Sequence, residues 1–204
     1  MINSFYLTVV FIGTALVTVI TASDTLYVNL ENSKINWTGR KVTGEHTGTL
    51  NLADGWIIIQ QDYLMGGKLI FDMTSINNTD LESPEWKKKL EDHLMDEDFF
   101  FADSFPHAVL EIKNHHQTVD ESSEVNSQII ANLTIREITH EIIFPLEISQ
   151  SKSIFYAEGT IDINRTLFNI NYKSGTLFEN LGDRMIYDDF TVQFSLQAKA
   201  VQQK

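Results

Sequence analysis

Hydrophobic and polar residues alternate along most of the chain that follows residue 23. The alternation is clearest in four stretches, at 69–73, 108–113, 128–136 and 190–199. A period of two over five or more residues predicts half-buried antiparallel strands. Weaker patterns predict further strands near 26–30, 35–42, 46–53, 56–61, 140–148, 154–163 and 167–173, with turns at 54–55, 66–67, 151–153 and 174–175. Many short, evenly spaced strands indicate a sandwich or a closed barrel.

One segment breaks this period and predicts a short helix. Ser83 is a suitable N-cap, Pro84 suits the first helical position, and Glu85 gives an acidic first turn. Apolar residues then recur every four residues, at Trp86, Leu90 and Leu94. The three lysines after Trp86 are expected to form a solvated face, with the helix ending near residue 96. Such a helix could cover one end of a barrel as a lid.

The first residues of the chain differ from the rest. Residues 5–22 contain no charged side chain, and small residues follow at 21–23. A run of this length predicts a signal peptide over 1–23, with an uncleaved anchor or a buried core helix as alternatives. The remainder, 24–204, is expected to form a single domain. A signal peptide would direct it to the periplasm or outside the cell.

Composition narrows the classes of partner. The chain has 204 residues, 43% of them hydrophobic, and its 15 basic and 28 acidic side chains give a net charge of −13. This apolar content is enough for one core. The negative charge argues against nucleic acid as a partner and disfavours anionic membrane surfaces. The absence of cysteine excludes disulfides, thiol nucleophiles and Cys-ligated metals.

Catalytic motifs are missing from the sequence. It contains no G-x-S-x-G elbow, no phosphate-binding loop and no G-x-G-x-x-G. The pair His140-Glu141 begins a zinc-helix motif, but Phe144 stands where its second histidine is needed. His115 and His116 fall in the polar stretch 114–126, predicted as a mobile hairpin loop, and adjacent histidines on a strand would face opposite ways. We therefore expect no enzyme activity, no metal and no cofactor.

Aromatic residues are abundant, with thirteen Phe, six Tyr and three Trp. They could fill a solid core or line an apolar cavity, as in barrels that hold a ligand. Periodicity does not distinguish these two arrangements.

Six stretches resemble the YceI-like family of exported polyisoprenoid-binding proteins, particularly its Bacteroidetes-type members. They occur in the family's order and cover nearly all of the chain after the signal segment, at 35–46, 71–81, 89–106, 133–140, 161–170 and 181–190. Three positions depart from the family pattern. Glu137 and Asn169 stand where glycine is common, and Asn164 stands where an acidic residue is frequent. The loss of glycine at Asn169 predicts a changed turn or a narrower cavity.

The resemblance implies an all-β fold, a single eight-stranded antiparallel lipocalin-like barrel with one short helix. It also implies a non-catalytic protein that stores or transports an isoprenoid lipid, either a quinone or a polyprenyl chain, in an apolar channel. Transient membrane contact and a dimer are compatible with this role. A structural or stress-related module with a solid barrel, and an enzyme acting on exported lipids, are the alternatives.

Eight residues are candidates for lipid binding. We expect six of them to form the wall: Trp37, Phe71, Phe100, Leu133, Phe168 and Phe194. His93 and Arg165 lie beside apolar residues in the family-like stretches, and we expect them near the mouth. His93 could donate to a quinone carbonyl or a phosphate, and Arg165 could pair with an anionic head group. Their alternative roles are a helix-end hydrogen bond and a structural salt bridge.

Overall fold

The computed structural model describes residues 23–60, 63–119, 125–151 and 154–200. The predicted signal segment lies outside these ranges apart from Ser23. No helix within them is long and apolar enough to span a membrane. Their regular elements are nine strands and an α-helix, namely β1 (Asp24–Val28), β2 (Lys34–Lys41), β3 (Gly44–Gln60), β4 (Tyr63–Asn78), α1 (Pro84–Met95), β5 (His107–Val119), β6 (Val125–Ile135), β7 (Ile138–Ser151), β8 (Ile154–Asn164) and β9 (Ile186–Lys199), and two 3-10 helices, Arg165–Phe168 and Gly182–Arg184.

The strands form a closed antiparallel barrel. Strands β2 to β9 pair in sequence, and β9 returns to pair with β2. The short β1 also lies between β3 and β9, beyond the end of β2, through pairs such as Tyr27–Trp56 and Val28–Ala198. Strands β1 and β2 therefore form two segments of one interrupted strand. Counted in this way, the barrel has eight strands around its axis. This confirms the predicted eight-stranded, lipocalin-like barrel with one helix.

The long hairpin of β3 and β4 corrects two predicted turns. Asp54 and Gly55 lie inside β3, where they pair with Ile70 and Leu69, so the strands predicted at 46–53 and 56–61 are one strand. Gly66 and Gly67 likewise lie within β4. The β3–β4 ladder carries irregularities between Thr49 and Asn51, Leu52 and Asp54, and Ile58 and Ile59. Local shifts of this kind let long strands bend around a barrel while continuing to pair.

The strand predicted at 167–173 is wrong. Arg165–Phe168 forms a 3-10 helix instead, and the chain from there to β9 is mostly irregular. The Asn164 side chain begins this helix by accepting hydrogen bonds from the Thr166 amide, at 2.9 Å, and the Thr166 hydroxyl, at 2.6 Å. Asn169 ends it with left-handed backbone angles, φ 58° and ψ 26°. Local capping therefore overrides the apolar alternation of this segment.

The structure accommodates each of the three residues that depart from the family pattern. Asn164 supplies an acceptor oxygen for the cap, as an acidic residue would. Asn169 adopts the left-handed region, which asparagine tolerates better than most residues, so the turn there is available without glycine. Arg136 and Glu137, with φ of 51° and 62°, form the turn between β6 and β7. Positive φ at both central residues suits the twist of a two-residue hairpin.

The stretch 114–126, predicted as a hairpin loop, is strand at 114–119 and 125–126, and its residues 120–124 lie outside the described ranges. Strand β5 extends to Val119, and β6 begins at Val125 opposite it. His115 is half-buried, and its Nε2 lies 3.1 Å from the Ser127 hydroxyl. Loss of hydration, with a smaller contribution from His116, lowers the pKa of His115. His116 is exposed, so the two adjacent histidines lie in different environments, as expected for neighbours on a strand.

Helix α1 follows the prediction in its limits but not in its apolar face. Pro84 is its first residue and Met95 its last. Leu94 packs against the core, whereas Trp86 is 58% exposed, with the Lys89 ammonium 4.9 Å from its ring centroid. Among the lysines, Lys87 is half-buried and donates to the Asn77 side chain at 2.9 Å. This contact helps hold the helix against the end of β4.

Gly48 provides a test of packing in the β2–β3–β4 region. A Cβ at this position would collide with the Asn77 carbonyl oxygen and the Trp37 ring. We expect G48A to lower the free energy of unfolding by about 1–3 kcal/mol, as overpacking does. Chemical denaturation measures this change. The control is G39A, where a Cβ would meet nothing within 4 Å. Equal stability of the two variants would contradict the contact described here.

Candidate functional site

A cavity lies inside the barrel, and we call it the upper cavity. Its volume is about 140 Å³, counted as space open to the centre of a water molecule. On this measure a single water needs roughly 10–15 Å³, so the space is many times larger than a packing defect. Its wall is formed by Ile35, Trp37, Gly39, Arg40, Leu50, Leu69, Phe71, Met73, Ile76, Leu94, Phe99, Phe100, Ala108, Leu110, Leu133, Ile135, Ile142, Ile161, Ile163, Arg165, Ile186, Tyr187, Asp189, Phe190, Val192 and Phe194.

The structure brings five of the six predicted wall residues together around this cavity. They are Trp37 on β2, Phe71 on β4, Phe100 after α1, Leu133 on β6 and Phe194 on β9. Phe168 lies elsewhere. It is 1% exposed, belongs to the 3-10 helix, and packs edge-on against the His140 ring at a centroid distance of 5.3 Å. Its place in the core, rather than in the cavity wall, reflects the helix that replaced the predicted strand.

Several wall residues were not singled out by sequence reasoning. Phe190 and Val192 precede Phe194 at intervals of two along β9, and Ile161 and Ile163 lie on neighbouring β8. The alternation along each strand could have identified these residues, because residues two apart face the same side of a sheet. The sequence did not show which aromatic and aliphatic residues were in the wall and which were in the solid core.

The wall surface that faces the cavity space is formed by apolar atoms. The charged and phenolic lining residues lie at one edge of the cavity. Trp37 directs its indole N–H to the Thr49 carbonyl oxygen, 3.2 Å away. Arg40, Tyr187 and Asp189 are the lining residues that are also solvent-exposed. They lie near the end of β2 and the start of β9, which pair through Lys41 and Ile186. We call this edge the rim, because here the cavity reaches the surface.

Arg165 lines the same end of the cavity, but its donors are already engaged. Its side chain is 4% exposed. Nε donates to the Tyr187 carbonyl at 3.1 Å, Nη1 to the Ile170 carbonyl at 2.7 Å, and Nη2 to the Ile186 carbonyl at 3.1 Å. Burial lowers the pKa of Arg165, and Asp188, 3.5 Å away, opposes that effect. These contacts favour the structural role over pairing with a head group.

His93 lies outside the upper cavity. Its Nδ1 is 2.9 Å from an oxygen of Asp96, three residues further along the end of α1. Its ring meets Phe99 and Tyr172 edge-on, with centroid distances of 4.9 and 4.8 Å. These contacts correspond to the helix-end alternative. Asp98 is close enough that one ligand atom from each of His93, Asp96 and Asp98 falls within 4.8 Å of the others. The Asp98 amide donates to Asp96, so the arrangement is explained by the helix end itself.

A second, smaller cavity lies further along the barrel, and we call it the lower cavity. Its volume is about 30 Å³ on the same measure. Its wall is entirely apolar and is formed by Val28, Ile57, Leu64, Leu69, Leu110, Ile112, Ile129, Phe144, Leu146, Phe155, Ala157, Phe194, Leu196 and Ala198. Leu69, Leu110 and Phe194 line both cavities.

Comparison with known proteins identifies similar folds. The family model described as the YceI-like domain matches residues 27–198. Among curated proteins, no relative matches this chain. Among solved structures, BcnA of Burkholderia cenocepacia is similar with a TM-score of 0.65 and 18% identity, over 84% of this chain and 99% of that one.

Two further structures are similar at lower identity. A polyisoprenoid-binding domain from Saccharophagus degradans, implicated in plant cell wall breakdown, gives a TM-score of 0.60 and 16% identity, over 89% of this chain and 99% of that one. The YCEI protein of Campylobacter jejuni gives 0.54 and 15%, over 98% of this chain and all of that one. At these sequence identities, the similarity to the three structures establishes the fold alone.

Proposed function

Because this chain belongs to the YceI-like family, we propose that its barrel binds the hydrocarbon tail of an isoprenoid lipid, a quinone or a polyprenyl chain, and stores or transports it. The observation that carries the proposal is the upper cavity, an apolar hollow of about 140 Å³ in the centre of the barrel. A solid barrel, the structural alternative, would leave no such space. The polyisoprenoid-binding domain with the same fold supports this class of ligand.

The energetics suit a carrier. Each CH₂ group moved from water into an apolar site gains about 0.8 kcal/mol, so a chain of about twenty carbons gains on the order of 16 kcal/mol gross. A lipid bilayer offers the tail a similar gain. Transfer between bilayer and barrel therefore comes close to balance, and a protein can both take up and release the lipid without a covalent step.

The polar end of the lipid is expected at the rim. The tail would lie along the hydrocarbon wall inside the rim, which includes the edge-on pair Phe100 and Phe190, with ring centroids 5.9 Å apart. Arg40 is the exposed cation of the rim, with a side chain 42% exposed. Its Nη1 donates to the Thr191 hydroxyl at 2.8 Å and its Nε lies 3.4 Å from a Glu45 carboxylate oxygen, and these two contacts orient the guanidinium. A carbonyl or phosphate at this edge would remain hydrated, so its burial cost is small.

Binding rather than catalysis is supported by the composition of the wall. Within the described part of the chain, the residues lining the upper cavity include no serine, threonine, histidine or lysine, and its phenolic and acidic side chains, Tyr187 and Asp189, lie at the exposed rim. Nucleophilic and acid–base chemistry usually relies on such side chains placed beside the substrate. The predicted signal segment supports action in the periplasm or outside the cell, where a lipid in transit needs shelter from water.

The proposal is tested by native mass spectrometry of the chain purified without detergent from lipid-rich cells, followed by organic extraction. We expect a mass increment released by extraction and identified as one prenyl lipid per barrel. A sample unfolded and refolded before extraction serves as the control for lipid carried on the surface. Repeated isolation of an empty barrel that also fails to take up added prenyl alcohol would contradict the proposal.

A further inference from the structure

The upper and lower cavities lie in line along the barrel axis and are divided by three side chains. On β9, the upper cavity is lined from Ile186 to Phe194 and the lower one from Phe194 to Ala198. Leu69 on β4 and Leu110 on β5 likewise contribute to both walls. The hollow of the barrel is therefore longer than the upper cavity, and the division lies at the level of Phe194.

Phe194 is held at this level by a gap on the neighbouring strand of the same wall. Its partner on β8 is Gly159, the central member of the series 155, 157, 159, 161 and 163 that shares one face of that strand. A Cβ at Gly159 would lie 2.5 Å from Cζ of Phe194. The ring occupies the space that a side chain at 159 would need. It also meets Phe144, a lower-cavity residue, edge-on at 6.1 Å.

The division has a consequence for ligand length. A strand rises about 3.3 Å per residue and tilts about 40° in a barrel of this kind, so the upper cavity extends about 20 Å along the axis and the lower one about 10 Å. Removing the ring would join the two into one hollow about half as long again. No comparable effect is expected at Phe190, which lines only the upper cavity.

We infer that Phe194 is a partition that sets how deep an isoprenoid chain enters the barrel, and therefore the chain length that binds best. This inference rests on the proposed lipid-binding function. Phe194 would then determine ligand specificity, whereas its neighbours on β9 only line a cavity wall. Gly159 is a positioning residue, because it acts by leaving room for the ring.

The test measures dissociation constants of the full barrel for a series of prenyl alcohols that differ by one isoprene unit. For the wild type we expect affinity to rise with chain length and then level off where the chain meets Phe194. In F194A the plateau should move by about two isoprene units, with a gain of about tenfold or more for each unit admitted. Because loss of a core ring can prevent folding, F194L is measured in parallel. The matched control is F190L, which should leave the position of the plateau unchanged.

The outcomes separate this inference from the proposed function. A wild-type barrel that binds no prenyl alcohol of any length contradicts the function itself. A wild type that binds with a plateau, and folded F194A or F194L variants that keep the same plateau, contradict the partition alone. An equal shift in F190L would show that general loosening of the wall is responsible, which also overturns the role of Phe194.

Discussion

Replacement of Arg165 by alanine is expected to lower the free energy of unfolding by about 3–5 kcal/mol, the cost typical of breaking a buried charged network. The side chain is 4% exposed and joins the carbonyls of Ile170, Ile186 and Tyr187 to Asp188. Without it, the buried Ile170 carbonyl and the part-buried acceptors of the other three residues lose their donor. Because they lie on the irregular segment and the start of β9, the variant should lose order at the closure of the barrel. Chemical denaturation and hydrogen exchange measure the effect.

Two control variants make this result specific. R165K keeps the charge but lacks the planar fork that reaches several carbonyls, so it should recover only part of the loss. R184A removes an exposed arginine from the neighbouring 3-10 helix and should change stability by no more than about 0.5 kcal/mol. The head-group interpretation makes the opposite prediction. If R165A keeps wild-type stability and loses only lipid affinity, Arg165 is a ligand-binding residue and the structural role is wrong.

Replacement of Ala108 by phenylalanine is expected to reduce affinity for a prenyl alcohol by on the order of 100-fold. Ala108 lies on β5, pairs with Phe71 and lines the upper cavity. A benzyl group there would occupy the space of about four CH₂ groups of the lipid tail, which corresponds to about 3 kcal/mol. Because the ring enters a hollow rather than a packed core, we expect a loss of stability below about 1.5 kcal/mol. Titration with the alcohol and thermal unfolding measure the two quantities.

The matched control places the same ring on the outside of the same strand. His107 is exposed and adjacent to Ala108, so H107F adds a ring that faces away from the cavity. It should leave the affinity unchanged. If A108F binds the alcohol as tightly as the wild type and as H107F, the lipid does not occupy the upper cavity. A folded A108F that loses binding therefore locates the ligand within the barrel.

Local pattern was sufficient to predict most of the strands and the helix. Alternation along β9 predicted a strand with Phe194 on its apolar face, and the Ser83-Pro84-Glu85 sequence predicted the start of α1. The same pattern failed at 167–173, because capping by Asn164 and the left-handed turn at Asn169 compete with strand pairing. It also failed at Asp54-Gly55, where pairing with β4 carries the chain through a sequence that elsewhere forms turns.

Roles of polar residues were harder to predict than strands. Arg165 and His93 were expected at the mouth because their neighbours in sequence are apolar. Besides near neighbours such as Ile170 and Asp96, their partners come from distant segments, Ile186–Asp188 for Arg165 and Tyr172 for His93. Only the fold brings these segments together. When a hydrogen-bond donor has apolar neighbours in the sequence, the sequence does not show whether its partner is a ligand or a carbonyl group of the chain.

The sequence by itself determined that the chain forms antiparallel strands and one helix, because the period of two and the helix-start signals are local properties of the polypeptide; the barrel rather than a sandwich was implied by the family resemblance. The tertiary structure decided that the barrel is hollow and that Phe194 divides the hollow. Both depend on how side chains from opposite strands meet across the axis, and a wall residue and a core residue have the same alternation. Whether a ring lies beside another side chain or beside a glycine, as Phe194 lies beside Gly159, depends on the register in which neighbouring strands pair.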